Sequence, residues 1–359
     1  MSSKLRVGVI GVGGIAANQH LPGWASLPDV EVVALADVAA ERLDTVGDKF
    51  GIKERFTDYK DMVGLDLDVV DVCTPNRVHT PAVTAALSAG KHVICEKPLA
   101  VTTDEVRSMG ELADAGGLKL MTAQHMRYTP AAQAVKKWID AGGLGDVYHA
   151  RVHAMRSNLI PIAPGFLNRK LSGGGPCMDI GVHALDLSLW LMGYPTPARV
   201  TGTSKTNFAK GTSIPGGWGE WDRDLVSVED FAAGFVRFNN GATLVLETSW
   251  LGHQKEKEDM SCQLFGLDGG VKWPSAEFTE VTNGVLSQGS LTNPMAGPKP
   301  HHAELADFAT CVRGNLPSPV PWTETIRVIA ILEAIYQSQE SGREVAVRAS
   351  DFPKLERKS

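Results

Sequence analysis

LRVGVIGVGGIA, residues 5–16, decides the fold. LRVGVIG (5–11) is a near-continuous apolar run, as a strand buried on both faces of a parallel sheet requires. Gly11-Val12-Gly13-Gly14-Ile15-Ala16 then follows the pattern GxGxxA. Gly11 allows a tight turn, Gly13 the close approach of a pyrophosphate, and Ala16 close helix–strand packing. A helix starting here would present free N–H groups and its positive dipole end to phosphates. A glycine-rich turn without a ligand has the same letters, so the flanking sequence must decide.

Outward from that stretch, VEVVALAD (30–37) is a second apolar run and ends in Asp37. An acid about 20 residues beyond the glycines can accept both ribose hydroxyls of NAD, and it would repel the 2′-phosphate of NADP. Val38 offers no phosphate clamp, whereas Arg42 is a cation close by in sequence. NAD is therefore expected over NADP. Asp37 also suits a helix N-cap. VVDVCTP (69–75), HVICEKP (92–98) and KLMTAQH (119–125) continue the series. AAERLDTVGDKF (39–50) and HTPAVTAALSAG (79–90) read as intervening helices, the second ending on Gly90. This rhythm predicts an α/β Rossmann domain with a doubly wound parallel sheet over residues 1–126.

Past residue 126 the rhythm changes. Helices are expected at 130–141, about 177–192 and 323–342, the last placing Ile326, Ala330, Ala334 and Ile335 on one face. YHARVHAMR (148–156) reads as a strand, and SCQLFGLDGGVKW (261–273) as a strand-and-turn unit. SVEDFAAGFVRF and ATLVLETSWLG flank Asn239-Asn240-Gly241, a hairpin signal. Residues 127–359 are expected to form an α+β domain with an open, mostly antiparallel sheet.

The bulk properties exclude several classes. With 359 residues, 43% hydrophobic and 21% charged, the chain suits two globular domains. A net charge of −6 and no Lys/Arg-rich run argue against nucleic acid as a partner. No stretch is long and apolar enough for a membrane span, and no cleavable leader is evident. Cys73, Cys95, Cys177, Cys262 and Cys311 are scattered, with no CxxC pair. Neither a disulfide framework nor structural zinc is expected, and a reducing cytoplasm fits.

Two segments carry the chemistry. Cys95-Glu96-Lys97-Pro98 closes a strand, and ligands of open α/β sheets bind beyond such strand ends. The Lys97 ammonium could hydrogen-bond a reacting oxygen and ease its charge. A solvated lysine is the ordinary alternative. The second segment is GGGPCMDIGVH (173–183). Asp179 and His183 are four apart and share one helix face, with Asp186 beyond them. Imidazole titrates near neutrality, so His183 can take a hydroxyl proton; Asp179 could orient it or bind a neighbouring hydroxyl. A buried pair that only fixes the fold is the competing reading. Zinc is a weaker one, for lack of further ligands, and no metal is expected.

In this order and spacing, the segments resemble the glucose–fructose oxidoreductase / inositol dehydrogenase / rhizopine-catabolism (Gfo/Idh/MocA) family over nearly the whole chain. Thr74-Pro75-Asn76 followed by His79, Phe238 to Trp250, and the closing SGREV add to the match. The resemblance implies Lys97, Asp179 and His183 as the catalytic set and a cis Lys97–Pro98 bond. It implies that Thr74, Pro75 and Asn76 line the nicotinamide side with His79 near, and that Arg127 lies close to the site. Glu96 and Lys97 join Gly11, Gly13, Gly14, Ile15, Ala16, Asp37, Val38 and Arg42 in the expected cofactor set. Homodimers or homotetramers joined through open sheet faces are further implied. Alternating apolar residues in FAAGFVRF and TLVLETSW would allow that packing, or burial under helices.

The expected activity is NAD-dependent hydride transfer between the nicotinamide and a ring secondary alcohol of a sugar, inositol-like polyol or glycoside. An NAD-recycling glycosidase and a non-catalytic NAD-sensing regulator are the alternatives. Ser204 to Asp224, with Trp218 and Trp221, departs from the family pattern. Its aromatics, Trp218 foremost, are candidates to stack on a sugar or aglycone, or to pack in an interface.

Overall fold

A computed structural model describes residues 4–293 and 297–355 of the chain. They divide into two compact units: Met1–Tyr128 with Gly297–Thr325, and Thr129–Ala296 with Ile326–Ser359.

The first unit is built on six strands: β1 (Leu5–Ile10), β2 (Val30–Ala36), β3 (Glu54–Phe56), β4 (Val69–Val72), β5 (His92–Cys95) and β6 (Leu120–Thr122). Their order is β3-β2-β1-β4-β5-β6, and every pair is parallel. All four residues of β4 are buried, as expected of a strand covered on both faces. Helices Ala40–Phe50, Asn76–Ser88 and Thr103–Ala115 make the crossovers. The expected doubly wound sheet is thus present. β3 has no counterpart in the sequence reading, because Glu54-Arg55-Phe56 is short and charged and lacks an apolar run.

One boundary is corrected. Residues 127–359 do not form a single domain, because Gly297–Thr325 belongs with the Rossmann sheet. The segment carries the unforeseen helix Pro300–Gly314, whose Leu305, Phe308 and Ala309 join Leu21 and Trp24 in one core. Each fully buried Leu or Phe contributes about 1.5–3 kcal/mol, which ties the segment to that core.

The second unit carries nine strands: β7 (Val147–Arg156), β8 (Pro197–Lys205), β9 (Phe231–Phe238), β10 (Thr243–Ser249), β11 (Glu258–Gly266), β12 (Gly269–Trp273), β13 (Glu277–Thr282), β14 (Val285–Ser290) and β15 (Val345–Ala346). Their order is β14-β13-β12-β11-β7-β10-β9-β8-β15. Only the β10–β7 pair is parallel, which gives the mostly antiparallel sheet expected. The hairpin around Asn239–Gly241 pairs Thr243 with Arg237.

On one face Ala232, Val236, Leu244, Leu246, Ala150 and Val152 are buried. Ile335 of the helix Trp322–Ser341 packs there: a Cβ on Gly234 would lie 2.6 Å from its Cδ1, and one on Gly202 would lie 2.8 Å from its Cγ2. The buried half of the alternating pattern is therefore covered by the chain's own helices. The opposite face shows half-buried or exposed Phe235, Arg237, Glu247, Arg151 and His153.

Candidate active site

In the first unit the glycine-rich turn joins β1 to a helical stretch that opens with a π-helical turn, Ala16–His20, before Leu21–Ala25. Gly11 has φ +85°, and a Cβ on it would lie 2.7 Å from the Cys73 carbonyl oxygen. At Gly13 a Cβ would meet nothing within 4 Å, so a cradle stands open beside the backbone. Ala16 is fully buried, as the close-packing role requires.

Asp37, at the end of β2, is bound into this turn. Its Oδ2 accepts from Val12 N and its Oδ1 from Ala39 N, both at 2.9 Å. The carboxylate thus shapes the loop and also serves the start of the helix Ala40–Phe50. Arg42 Nη1 lies 3.4 Å from Asp37 Oδ2 with its side chain half in solvent. Val38 is exposed. Beside Gly11, the Thr74 hydroxyl is buried with no hydrogen-bond partner. An open cradle, a fixed acid and an orphaned hydroxyl fit a dinucleotide. Pro75 and Asn76 continue from Thr74 into the helix Asn76–Ser88.

His79 is completely buried against the Thr74 loop. Its ring nitrogens lie 2.7 Å from the carbonyl oxygens of Thr74 and Pro98. It therefore pins the Thr74 loop to the segment after β5. The Lys97–Pro98 bond there is cis. Arg127 is also buried, with Nη1 donating to Glu324 Oε2 at 2.8 Å.

The ends of β4 and β5 hold a cluster absent from the sequence reading. His20 Nδ1 lies 2.9 Å from Asp71 Oδ2, and Nε2 lies 3.0 Å from Glu96 Oε1. Trp24 Nε1 donates to Asp71 Oδ2 at 2.8 Å, and Lys97 N donates to Glu96 Oε2 at 3.0 Å. Burial lowers the His20 pKa, but its neighbours, Asp71 foremost and Cys73 with it, together hold the value well above that of ordinary imidazole. Burial would raise Glu96, yet the His20 hydrogen bond and charge bring it down to about 2. His20, Asp71 and Cys73 have ligand-type atoms within 4.8 Å of one another. Both His20 ring nitrogens are turned to carboxylate oxygens. The signal that could have revealed the cluster is Asp71 itself, since an acid inside the buried run VVDV must find a partner.

In the second unit the expected helix at 177–192 begins with another π-helical turn, Cys177–Gly181, and continues as Val182–Leu191. Such turns recur at functional sites. Asp179 lies in the turn and His183 just after it, and both are nearly buried. Trp250 Nε1 donates to Asp179 Oδ2 at 3.1 Å. Asp186 accepts from the Tyr194 hydroxyl at 3.1 Å, which gives it a structural role. The approach to the turn is anchored by Glu229: Gly175 N donates to its Oε1 at 2.9 Å, Cys177 N at 3.2 Å and the Tyr336 hydroxyl at 2.8 Å. Burial pushes the Glu229 carboxyl above the usual range, despite these donors. Sequence reasoning missed Glu229 and Tyr336, which are 107 positions apart.

The Ser204–Asp224 loop is ordered around Asp230, whose Oδ2 accepts from Phe208 N and Ala209 N at 2.7 Å. Trp221 is buried and donates to Ala209 O, which removes it from the stacking candidates. Trp218 is 48% exposed, with the Arg156 guanidinium 4.9 Å from its ring centre.

A Rossmann sheet with this loop, and a second unit with a buried Asp–His helix under an antiparallel sheet, define a dinucleotide-dependent oxidoreductase. Residues 5–124 match the model of the oxidoreductase family with an NAD-binding Rossmann fold, and residues 132–272 match the GFO/IDH/MocA C-terminal domain. The chain belongs to the Gfo/Idh/MocA family. It is 33% identical to a D-glucoside 3-dehydrogenase of Escherichia coli, over 96% of this chain and 98% of that protein. It is 29% identical to a levoglucosan dehydrogenase of Pseudarthrobacter phenanthrenivorans, over 75% of this chain and 73% of that one. A crystal structure of an oxidoreductase domain protein from Kribbella flavida has the same fold, with a TM-score of 0.83 and 24% identity, covering 97% of this chain and 100% of that one.

Proposed function

We propose that this protein oxidises a ring secondary alcohol of a sugar or glycoside to the ketone, with NAD as the acceptor. NAD, when bound, supplies the site that takes the hydride. Gly11, Gly13, Gly14, Ile15 and Ala16 form its phosphate turn, Asp37 receives the ribose hydroxyls, and Thr74, Pro75 and Asn76 border the nicotinamide. His183 accepts the alcohol proton at a ring nitrogen. Lys97 donates a hydrogen bond to the same oxygen, and Asp179 fixes a neighbouring hydroxyl. The reading rests most on Asp179: a nearly buried carboxylate, gripped by Trp250 at the turn that leads into His183.

The dehydrogenases of glucoside and levoglucosan among the relatives support a sugar substrate, with inositol-like polyols as the wider class. The exposed Trp218 ring, with Arg156 on one side, favours a glycoside whose second group stacks there. Arg127 supports the substrate side through Glu324. The open face of the nine-stranded sheet supports a homodimer or homotetramer. Five free, buried cysteines suit a cytoplasmic protein; no helix among the described residues is long and apolar enough to cross a membrane.

The test is NADH absorbance with purified protein against glycosides, anhydrosugars, aldoses and inositols. Net NADH with a keto product is expected; sugar release without net NADH would instead indicate the glycosidase. Lys97→Ala and His183→Ala should each lower turnover by about 10²–10⁴-fold while NAD still binds. Near-normal turnover in either variant would remove that residue from the set.

A further inference from the structure

We propose that His20 is a positioning residue for the oxidation: as an imidazolium clamped between Asp71 and Glu96, it locks the Glu96–Lys97 backbone to the glycine-rich turn. The proposal rests on the reading that Lys97 serves the reacting alcohol.

The argument is geometric. His20 closes the π-helical turn that follows the glycines. Each ring nitrogen faces a carboxylate oxygen, at 2.9 Å and 3.0 Å. Two carboxylate acceptors match the two N–H donors of a ring that carries both protons. The second oxygen of Glu96 accepts from Lys97 N at 3.0 Å. A path of charge-assisted bonds therefore runs from Asp71 through His20, which closes the turn after the glycines, and Glu96 to the Lys97 backbone. The His20 side chain is wholly buried and that of Glu96 is 10% exposed, so water does not loosen the path.

Among the described groups that face the His20 ring, the other imidazoles do not share its charge. From β4 come Asp71 and Cys73, whose thiol burial keeps protonated. After β5 come Glu96 and Lys97. The helix Pro300–Gly314 contributes His301, His302 and Glu304, and the turn His125–Tyr128 contributes His125. His125 and His301 stack at 3.9 Å. Burial lowers His125 to about 3 and His301 to about 4, so both are neutral where His20 is charged. Burial pushes the Glu304 carboxyl well above the usual carboxylate range. With His20 neutral or absent, Asp71 and Glu96 would face each other as buried, uncompensated charges. Glu96 would protonate or turn, and the Lys97 backbone would lose its anchor.

Two measurements test this. In wild-type protein with ¹⁵N-labelled histidine, both His20 nitrogens are expected to be protonated at pH 7. A neutral ring with one bare nitrogen would overturn the proposal without reference to activity. The second measurement uses His20→Gln, whose amide reaches one carboxylate only, and Asp71→Asn in case His20→Gln does not fold. Turnover per active site should fall about 10- to 100-fold, the cost of misplacing a reacting group by an ångström or so. The primary deuterium isotope effect on turnover should rise as the chemical step becomes limiting. Equilibrium NAD affinity should change less than about threefold, since the glycine turn itself is intact. A merely structural His20 would lower the fraction of active enzyme and leave turnover per site and isotope effect alone; that result sinks the proposal. Wild-type protein that oxidises no ring alcohol would instead sink the functional reading.

Discussion

Two stretches of the chain share one local recipe: a glycine run, then a π-helical turn, then an α-helix, with a buried carboxylate close by. In the first unit, Gly11–Gly14 leads to His20 and thence to Asp71 and Glu96. In the second, Gly173–Gly175 leads to Asp179, with Glu229 beside it. The recipe serves opposite ends. At Gly13 the space where a side chain would stand is empty. At Gly174 it is taken by the Tyr336 hydroxyl at 2.1 Å, and at Gly175 by the Glu229 carbonyl oxygen at 1.9 Å. One run keeps room for a ligand, and the other lets the chain press against itself to place Asp179. The carboxylates differ in the same spirit. Glu96 meets a cation and stays ionised, whereas Glu229 meets only neutral donors and burial favours its protonated form.

The carboxylates offer the largest contrast. Glu96→Gln breaks a buried ion pair and should cost about 3–5 kcal/mol of stability at pH 7. Glu229→Gln keeps an acceptor for Gly175, Cys177 and Tyr336 and should stay within about 1 kcal/mol of wild type. Their pH dependences have opposite signs. Glu96 has a folded pKa of about 2, below its unfolded value of about 4.3. Its stabilisation is complete above the unfolded value and is lost as pH falls towards the folded one. The Glu229 pKa is raised on folding. Its penalty is absent below the unfolded value and grows as pH rises through the folded one. Denaturant melts from pH 3 to 8 should show the Glu96→Gln deficit shrinking in acid. Glu229→Gln should gain on wild type as pH rises; parallel curves for the two variants would break the contrast.

The glycines come next in size. Gly175→Ala drives a methyl into a backbone carbonyl that cannot swing aside, so about 1–3 kcal/mol should be lost. Gly13→Ala should leave the melting curve within about 0.5 kcal/mol, yet weaken NAD at least tenfold by filling the pyrophosphate's approach. Equal losses of stability in both variants, by the same denaturant melts, would mean that the cradle at Gly13 is not reserved for a ligand.

Much of this was legible in the letters. The parallel sheet announced itself because its strands are buried on both faces and read as unbroken apolar runs, VVDV among them. The glycine turn, Asp37 and Lys97 followed from the positions that strand ends impose. What stayed hidden depended on distant partners. The helix Pro300–Gly314 mixes charged and apolar residues, and only contact with Leu21 and Trp24 assigns it to the first unit. Glu229 finds Tyr336 across the second unit. Both π-helical turns were invisible, since one extra residue in a turn depends on what the helix packs against and not on its own propensities. His79 likewise shows what spacing leaves open: it lies against the Thr74 loop, but the two carbonyls that its ring meets are set by the fold.

The smallest expected effect probes the same distinction at a single atom. Thr74 Oγ1 is buried with no partner. An orphaned hydroxyl costs free energy unless something arrives to bond it. If that something is the cofactor, Thr74→Val should leave the free protein as stable as wild type or slightly more so, because the variant removes an unsatisfied group and keeps the shape. The same change should weaken NAD by about 0.5–1.5 kcal/mol, roughly 2- to 10-fold, the net value of one hydrogen bond. Calorimetric NAD titration alongside thermal melts reads both quantities. Stability lost with affinity unchanged would show that the hydroxyl serves the fold, and the ligand-directed half of the comparison would then rest on Gly13 alone.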